Sequence, residues 1–349
     1  VNMHISLILD FLSTFWLPIT ITSIGALFYG SFVMWYGKVS ISQGLALFFT
    51  GIIVITCIFL PFNWSIQNSG SGKEISLFFF DLNVEGNNFI NDFKSYLAAM
   101  NLPQEYTQNA IILFLAFLEE LAKLTLLILC IRKSLRLPVI LVYVFVVGAF
   151  IHRMIGAGNS DTVLLATGGA GLIGFIVLWL LLWSAIKTES VSDYMYSIAI
   201  VALGFAFAEN IKYMIDLDQA GQNHEAIVNN ALLRAIFWYL SHTFFSMVCV
   251  SLYARGRFAF LRLIDNSWNL SLGQKALGWK GYTRMKSIQW FWFGVFVASA
   301  IHGVYNIYIG QNVLIPSVML IVGFLFLELF VLHDLRNNTK YGHIENYMQ

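Results

Sequence analysis

The chain reads as an all-α, polytopic integral membrane protein of about nine transmembrane helices, with a polar site inside the helix bundle. Three observations predict this. Hydrophobic residues make up 58% of the sequence and charged residues only 11%, a balance outside the range of soluble globular domains. The apolar residues fall in blocks of about twenty or more, the length a helix needs to cross the hydrocarbon core. Several of those blocks are interrupted near their middles by ionisable side chains. A charge at that depth is costly enough to mark a functional site.

In chain order the expected spans are roughly 13–36, 41–62, 108–131, 137–157, 163–186, 194–217, 229–254, 288–310 and 315–334. The first is blurred by Asp10 and Pro18. Lys and Arg set the orientation. Segments 37–40, 132–136, 187–193, 255–287 and 335–349 hold fourteen of the twenty basic residues. The alternating segments hold only Lys73 and Lys94, and the other four basic residues lie within spans. The N-terminus is therefore expected outside and the C-terminus in the cytoplasm, with an odd number of crossings.

Of the two long loops, 63–107 is expected outside and contains, near 89–100, a candidate amphipathic helix. The other, 255–287, mixes basic residues with Trp268 and Trp279, which suits contact with an anionic leaflet. Gly168, Gly169, Gly171 and Gly174 suit close helix packing. The N-terminus has no basic region before its first apolar run, so no cleavable signal peptide is expected. A net charge of +1 gives no footing for nucleic acid. Cys57, Cys130 and Cys249 all fall within spans, so no disulfide framework is expected.

The chemistry-bearing residues are few and ordered. Glu119 and Glu120 sit together in the apolar run 110–131, with Lys123 one turn on. A Glu–Lys pair at this spacing also suits a structural ion pair. Two carboxylates, however, are more than one lysine neutralises, and a carboxyl poised there can act as a general base on water. The run Gly204-Phe205-Ala206-Phe207-Ala208-Glu209-Asn210 places a third carboxylate among small residues, with Lys212 as a possible structural partner. His242 shares a face loosely with Arg234, two turns away, and His302 shares one with Asn306 at i,i+4.

Counted from the outer ends of their spans, Glu119, Glu209, His242 and His302 all lie at depths of roughly 12–20 Å, taking 1.5 Å per residue. The helices run in alternating directions, so sequence spacing does not force that agreement. It points to one shared site. His152 and Arg153 lie near a span end, with His152 held as a reserve candidate, and Glu328, His333 and Asp10 are read as interface or packing residues.

These residues, in this order, resemble the PrsW family of intramembrane proteases, which is itself similar to the CAAX-prenyl endopeptidases and their bacterial Abi relatives. The resemblance covers about 110–310. It divides the chain into N-terminal transmembrane helices and an outer loop (1–107), a protease core (108–310), and a last helix with a cytoplasmic tail (311–349). It implies peptide-bond hydrolysis in or beside a bacterial cytoplasmic membrane, on a single-pass protein such as an anti-sigma factor, cut on its outer side.

Carried over by position, Glu119 and Glu120 resemble the water-activating pair, and His302 with Asn306 resembles the donors to the tetrahedral oxyanion. Lys123, Asn210 and Arg234 resemble supporting residues. Glu209 stands where the prenyl endopeptidases have a histidine in a Phe-x-x-x-His motif, so their prenyl-protein specificity does not transfer.

Two mechanisms stay open. A single zinc ion would take His242, His302 and Glu209 as ligands and leave Glu119 or Glu120 as base. The alternative is a metal-free site in which a glutamate activates water and His and Asn stabilise the oxyanion. The absence of a His-Glu-x-x-His motif tilts the reading toward the metal-free form. Replacing either Glu119 or Glu120 by Gln is expected to abolish cleavage with little effect on folding. Two other classes compete: a proton- or cation-coupled transporter or channel, and a non-catalytic membrane sensor that keeps the protease fold. No inverted repeat is visible for the first.

Overall fold

The computed structural model describes residues 2–53, 104–131, 191–257, 272–309 and 316–325, with 327 and 329. Among them the regular elements are all helices. In order they are α1 (Asn2–Tyr36), α2 (Ile41–Ile53), α3 (Gln104–Ile131), α4 (Val191–Gln219), α5 (His224–Leu233), a π-helical turn (Arg234–Trp238), α6 (Tyr239–Arg257), α7 (Leu272–Ile309) and the shorter α8 (Pro316–Leu325).

Four of these stretches are long and apolar enough to cross a membrane: Phe15–Tyr36, Val191–Met214, His224–Arg257 and Arg284–Ile309. They coincide with four of the nine expected spans. The spans 137–157 and 163–186 lie outside the described residues, as do the candidate helix near 89–100, the glycine stretch 168–174, His152, Arg153, Glu328 and His333. The helix begun at Ile41 is described only to Ile53, and the expected last span only in part. The expected span 108–131 is helical as α3, but its apolar run carries Glu119, Glu120 and Lys123.

Two boundaries differ from expectation. Helix α1 runs through Pro18 from Asn2 rather than starting near 13. Helix α7 begins at Leu272, so the basic segment expected as loop up to 287 is, from there on, the first turns of a helix. Gln, Lys and Ala are strong helix formers, and nothing between 272 and 288 breaks the run apart from its glycines.

Helix α4 is the centre of the bundle. In its span 78% of residues are buried, against 22% in the span of α1. A helix apolar on all sides needs neighbours on all sides, and α4 finds α1, α2, α6 and α3 around it. The α2–α4 crossing is set by two glycines. A Cβ at Gly51 would strike the carbonyl of Val201, and one at Gly204 would strike the carbonyl of Phe48. The two backbones therefore touch, as small residues permit between membrane helices.

Helix α7 packs along α6 and α3. Gly294 lies against the Cys249 carbonyl and Gly303 against Leu113. The main core joins Leu124 and Leu127 of α3, Met195, Ile198 and Val201 of α4, Phe245 and Val250 of α6, and Val295, Ala298 and Tyr305 of α7. Large apolar side chains also cover the outside, among them Leu27, Phe28 and Trp35 on α1 and Trp292, Phe293 and Phe296 on α7. Such a surface suits acyl chains as its solvent.

Candidate functional site

Four helices deliver polar side chains, most of them ionisable, to one buried place: Glu119, Glu120 and Lys123 from α3, Glu209 and Asn210 from α4, His242 from α6 and His302 from α7. The π turn before α6 adds Arg234. These side chains are ordered as two parallel arms, each a cation holding a carboxylate that holds a histidine.

In the first arm, Lys123 Nζ donates to Glu120 Oε1 at 2.6 Å, with both side chains fully buried. The same oxygen lies 3.2 Å from His302 Nδ1. Ser246 Oγ donates to the other oxygen, Oε2, at 2.9 Å. Glu120 thus has both oxygens engaged. Lys123 also lies over the Phe205 ring at 4.6 Å and 3.4 Å from His242 Nδ1, which ties the two arms together.

In the second arm, Arg234 donates from Nη2 to Glu209 Oε2 at 3.0 Å and from Nε to Asn210 Oδ1 at 2.8 Å. His242 Nε2 lies 2.9 Å from that same Glu209 oxygen. The guanidinium is stacked between Tyr213 and Trp238, 3.8 and 4.2 Å from their ring centres. A planar, delocalised cation suits that slot in a way an ammonium does not.

The π turn explains how Arg234 and His242 reach one oxygen. Eight residues of α-helix overshoot two full turns by about 80°. A π turn holds more residues per turn, so the segment Arg234–Trp238 takes up much of that overshoot and brings both residues to one face. The sequence treats their alignment as loose because a regular helix would make it so.

The two imidazoles meet edge to face, with centres 5.2 Å apart. Phe245 stacks on His302 at 4.5 Å and Phe205 packs against His242 at 5.2 Å. Between the arms lies Glu119. Its Oε2 is buried, accepts no hydrogen bond, and sits 3.7 Å from His302 Nε2. A buried carboxylate oxygen left without a hydrogen bond is rare enough to need a reason. Three carboxylates here face only two permanent cations, so a proton or a bound cation would complete the balance.

The donor set fits a metal. One ligand atom each from Glu119, His242 and His302 lie within 4.8 Å of one another. Two imidazoles and a carboxylate are the ligand types of catalytic zinc sites. His302 turns Nε2 to Glu119 while Glu120 holds its Nδ1, as metal-binding histidines commonly do. His242 has Nε2 at Glu209 and Nδ1 3.4 Å from Lys123 Nζ, so a metal there would replace one of these two contacts. The set differs from the one expected from sequence: Glu119 takes the place of Glu209, whose Oε2 is held by Arg234 and His242.

Other expectations shift as well. Glu120, expected as half of a water-activating pair, is fully engaged by Lys123, Ser246 and His302. Lys212, weighed as a partner for Glu209, instead has its ammonium over the Tyr213 ring at 5.2 Å. Asn306 lies half-buried one turn from His302, and none of the cluster's hydrogen bonds ends on it. The sequence reading missed Ser246, Tyr213 and Trp238. Ser246 follows His242 by one turn, a signal that was present. The two aromatics carried none, being common in any membrane helix.

Carboxylates and imidazoles oriented away from bulk water inside a bundle of membrane helices are the equipment of an intramembrane hydrolase. The chain belongs to the PrsW family of intramembrane metalloproteases, whose family model matches residues 40–332. No curated protein and no solved structure matches it. The family match extends beyond 110–310, taking in α2 on one side and α8 on the other. Family membership separates the chain from the transporters and channels and makes its chemistry peptide hydrolysis.

Proposed function

We propose that this protein hydrolyses a peptide bond in or next to the transmembrane segment of a single-pass membrane protein, an anti-sigma factor being the kind of substrate the family resemblance suggests. The observation that carries the reading is the buried Glu119 Oε2, which accepts no hydrogen bond, lies 3.7 Å from His302 Nε2 and shares one site with two histidines that are each braced by a carboxylate and a cation. Such an arrangement costs stability unless it meets a ligand, so it speaks against a sensor that has lost its chemistry.

Glu119, His242 and His302 would hold a divalent metal ion, zinc by the nature of the donors. When bound, such an ion polarises a carbonyl and makes water a nucleophile near neutral pH. Of the two mechanisms the sequence leaves open, with its tilt toward the metal-free one, this donor geometry and the family's description as metalloproteases support the metal form. The chain's own residues then have separate tasks. Glu120, set by Lys123 and Ser246, orients His302 through Nδ1. Glu209, set by Arg234, orients His242 through Nε2. Asn306, one turn along α7 from His302, offers its amide to the oxyanion of the tetrahedral state.

The low positive charge of the loops expected outside, and a site expected at roughly 12–20 Å from the outer ends of its spans, favour water entering from that side. Cleavage is then in the outer third of the substrate's span or just beyond it. Gly or Pro near that point speeds cutting, because an intact helix shields its backbone. Elemental analysis of detergent-purified, active protein tests the metal part. The expected result is about one zinc per chain, lost with activity on chelation and restored with it. Full activity in metal-free protein would return the site to the glutamate-only mechanism.

A further inference from the structure

We infer that α1 is a positioning element of the second arm: it holds the π turn Arg234–Trp238 in its wide form and so aligns Arg234 and His242 on Glu209. The inference rests on the protease reading above and names further residues on which that site depends. Helix α1 ends at Tyr36, before the family match begins at residue 40, so this support comes from outside the matched core. Most of α1 is exposed, with Ile24, Leu27 and Phe28 turned outward. Thr22, Gly25, Ala26 and Tyr29 recur at three- and four-residue spacing and share the opposite face.

That face grips the π turn at both ends. At the near end, a Cβ on Gly25 would lie 3.1 Å from the Ala235 carbonyl oxygen and 3.2 Å from the Ala235 Cβ, so α1 comes close to the backbone there. Tyr29 Oη donates to the Ile236 carbonyl at 3.3 Å. At the far end stands Tyr239, the first residue of α6, which is fully buried. Its ring edge fills the space a Gly25 side chain would need, and its hydroxyl donates to the Thr22 carbonyl at 2.9 Å. Ala26, Ala235 and Tyr239 are buried together in one cluster.

A π turn is rare and seldom lasts beyond one turn, and residues 234–238 have no composition that demands one. What keeps it wide lies outside it. Closing to α geometry would return Arg234 and His242 to an offset of about 80°, and Glu209 Oε2 would lose one of them. It would also shift Ala235 and Ile236 against Tyr239, and α1 is bound to both sides of that step. The small residues at 25 and 26 let α1 come near enough to hold them. Gly25, Tyr29 and Tyr239 are thus positioning residues that act through the π turn.

The test uses the full chain, purified in detergent and carrying isotope-labelled histidine. Gly25→Val wedges α1 off the π turn, and Gly30→Val, at a site with nothing within 4 Å, is the control. The His242 and His302 nitrogen resonances are assigned by their loss in His242→Gln and His302→Gln. Gly25→Val should move the His242 Nε2 resonance and leave those of His302 in place, and Gly30→Val should move neither. Zinc, followed by equilibrium dialysis, should bind Gly25→Val about tenfold more weakly. The substrate probe is a synthetic single-pass peptide of about 22 Leu and Ala residues with one Gly-Pro near its outer end. Its turnover should fall about tenfold or more with KM little changed. In an Arg234→Lys background, where the grip is already lost, Gly25→Val should add little. If Gly25→Val does not fold, Tyr239→Phe, which keeps the ring and removes the bond to Thr22, is read by the same criteria. An unmoved His242 resonance in the folded variant would overturn the positioning role. Equal movement of both histidines would also overturn it, since that is general loosening. Cleavage that Gly25→Val leaves intact removes the role of α1 and keeps the protease reading. A selective His242 shift in a chain that does not cut the peptide upholds the role of α1 and counts against the protease reading.

Discussion

At the scale of single residues, neighbouring glutamates have opposite circumstances. Glu119 has an oxygen with no hydrogen bond, whereas both oxygens of Glu120 are engaged. Glu119→Gln should therefore remove a metal ligand and abolish cleavage while leaving the melting temperature of the metal-free protein in detergent nearly unchanged. Glu120→Gln strands the buried ammonium of Lys123 and should destabilise the fold by about 3–5 kcal/mol, read by denaturant unfolding. Equal stability of the two variants would show that the arms are misassigned. The sequence-based expectation is that either substitution spares the fold; the engaged oxygens of Glu120 predict otherwise for that residue. The sequence singled out the pair because a charge in an apolar run stands out, but Lys123 is three residues from one glutamate and four from the other. Helical spacing permits both pairings, and only the packing of Ser246 and His302 against Glu120 separates them. Arg234 poses a similar problem, since its partner Glu209 is on another helix and no local spacing links them. Arg234→Lys keeps the charge but loses the stacked, two-pronged grip. It should reduce turnover by about tenfold or more through misplacement of His242, with the substrate KM little changed.

At the scale of elements, long apolar helices were legible from length and hydropathy alone, and their polar interruptions from charge. The π turn was not, because residues 234–238 have no composition that distinguishes a π from an α turn. Its role is testable by register. Ile236 is 50% exposed, so Ile236→Ala should leave activity unchanged. Deleting Ile236 removes the extra residue, turns Arg234 away from Glu209 and should abolish cleavage. Activity in the deletion variant would mean that the π turn does not set the second arm. The glycines at the α2–α4 crossing make a second element-scale case. Gly204→Ala forces a methyl into the Phe48 carbonyl and should destabilise by about 1–3 kcal/mol, measured by thermal unfolding. Gly30→Ala meets nothing within 4 Å and should be neutral or slightly stabilising. The early start of α7 escaped the sequence reading because basic residues were weighed as an orientation signal, and helix-forming Lys and Gln serve both roles.

At the scale of the whole molecule, the similar depths of Glu119, Glu209, His242 and His302 were the most informative reading of the sequence. Depth is one coordinate only; it brings residues to a common level without saying which will touch. The fold supplies the rest by wrapping α3, α6 and α7 beside the central α4, so that two braced histidines share one site with a carboxylate whose buried Oε2 accepts no hydrogen bond. Orientation in the membrane and the identity of the substrate are properties of the surroundings and enter through charge distribution and family resemblance. The most direct test of the central claim is mass spectrometry of single-pass proteins from the same genome, co-reconstituted with the purified chain or with its Glu119→Gln variant. The account predicts fragments that appear only with the unsubstituted chain and whose new ends fall in the outer third of the span or just outside it. Identical fragments with the Glu119→Gln variant, or cuts confined to cytoplasmic segments, would contradict it.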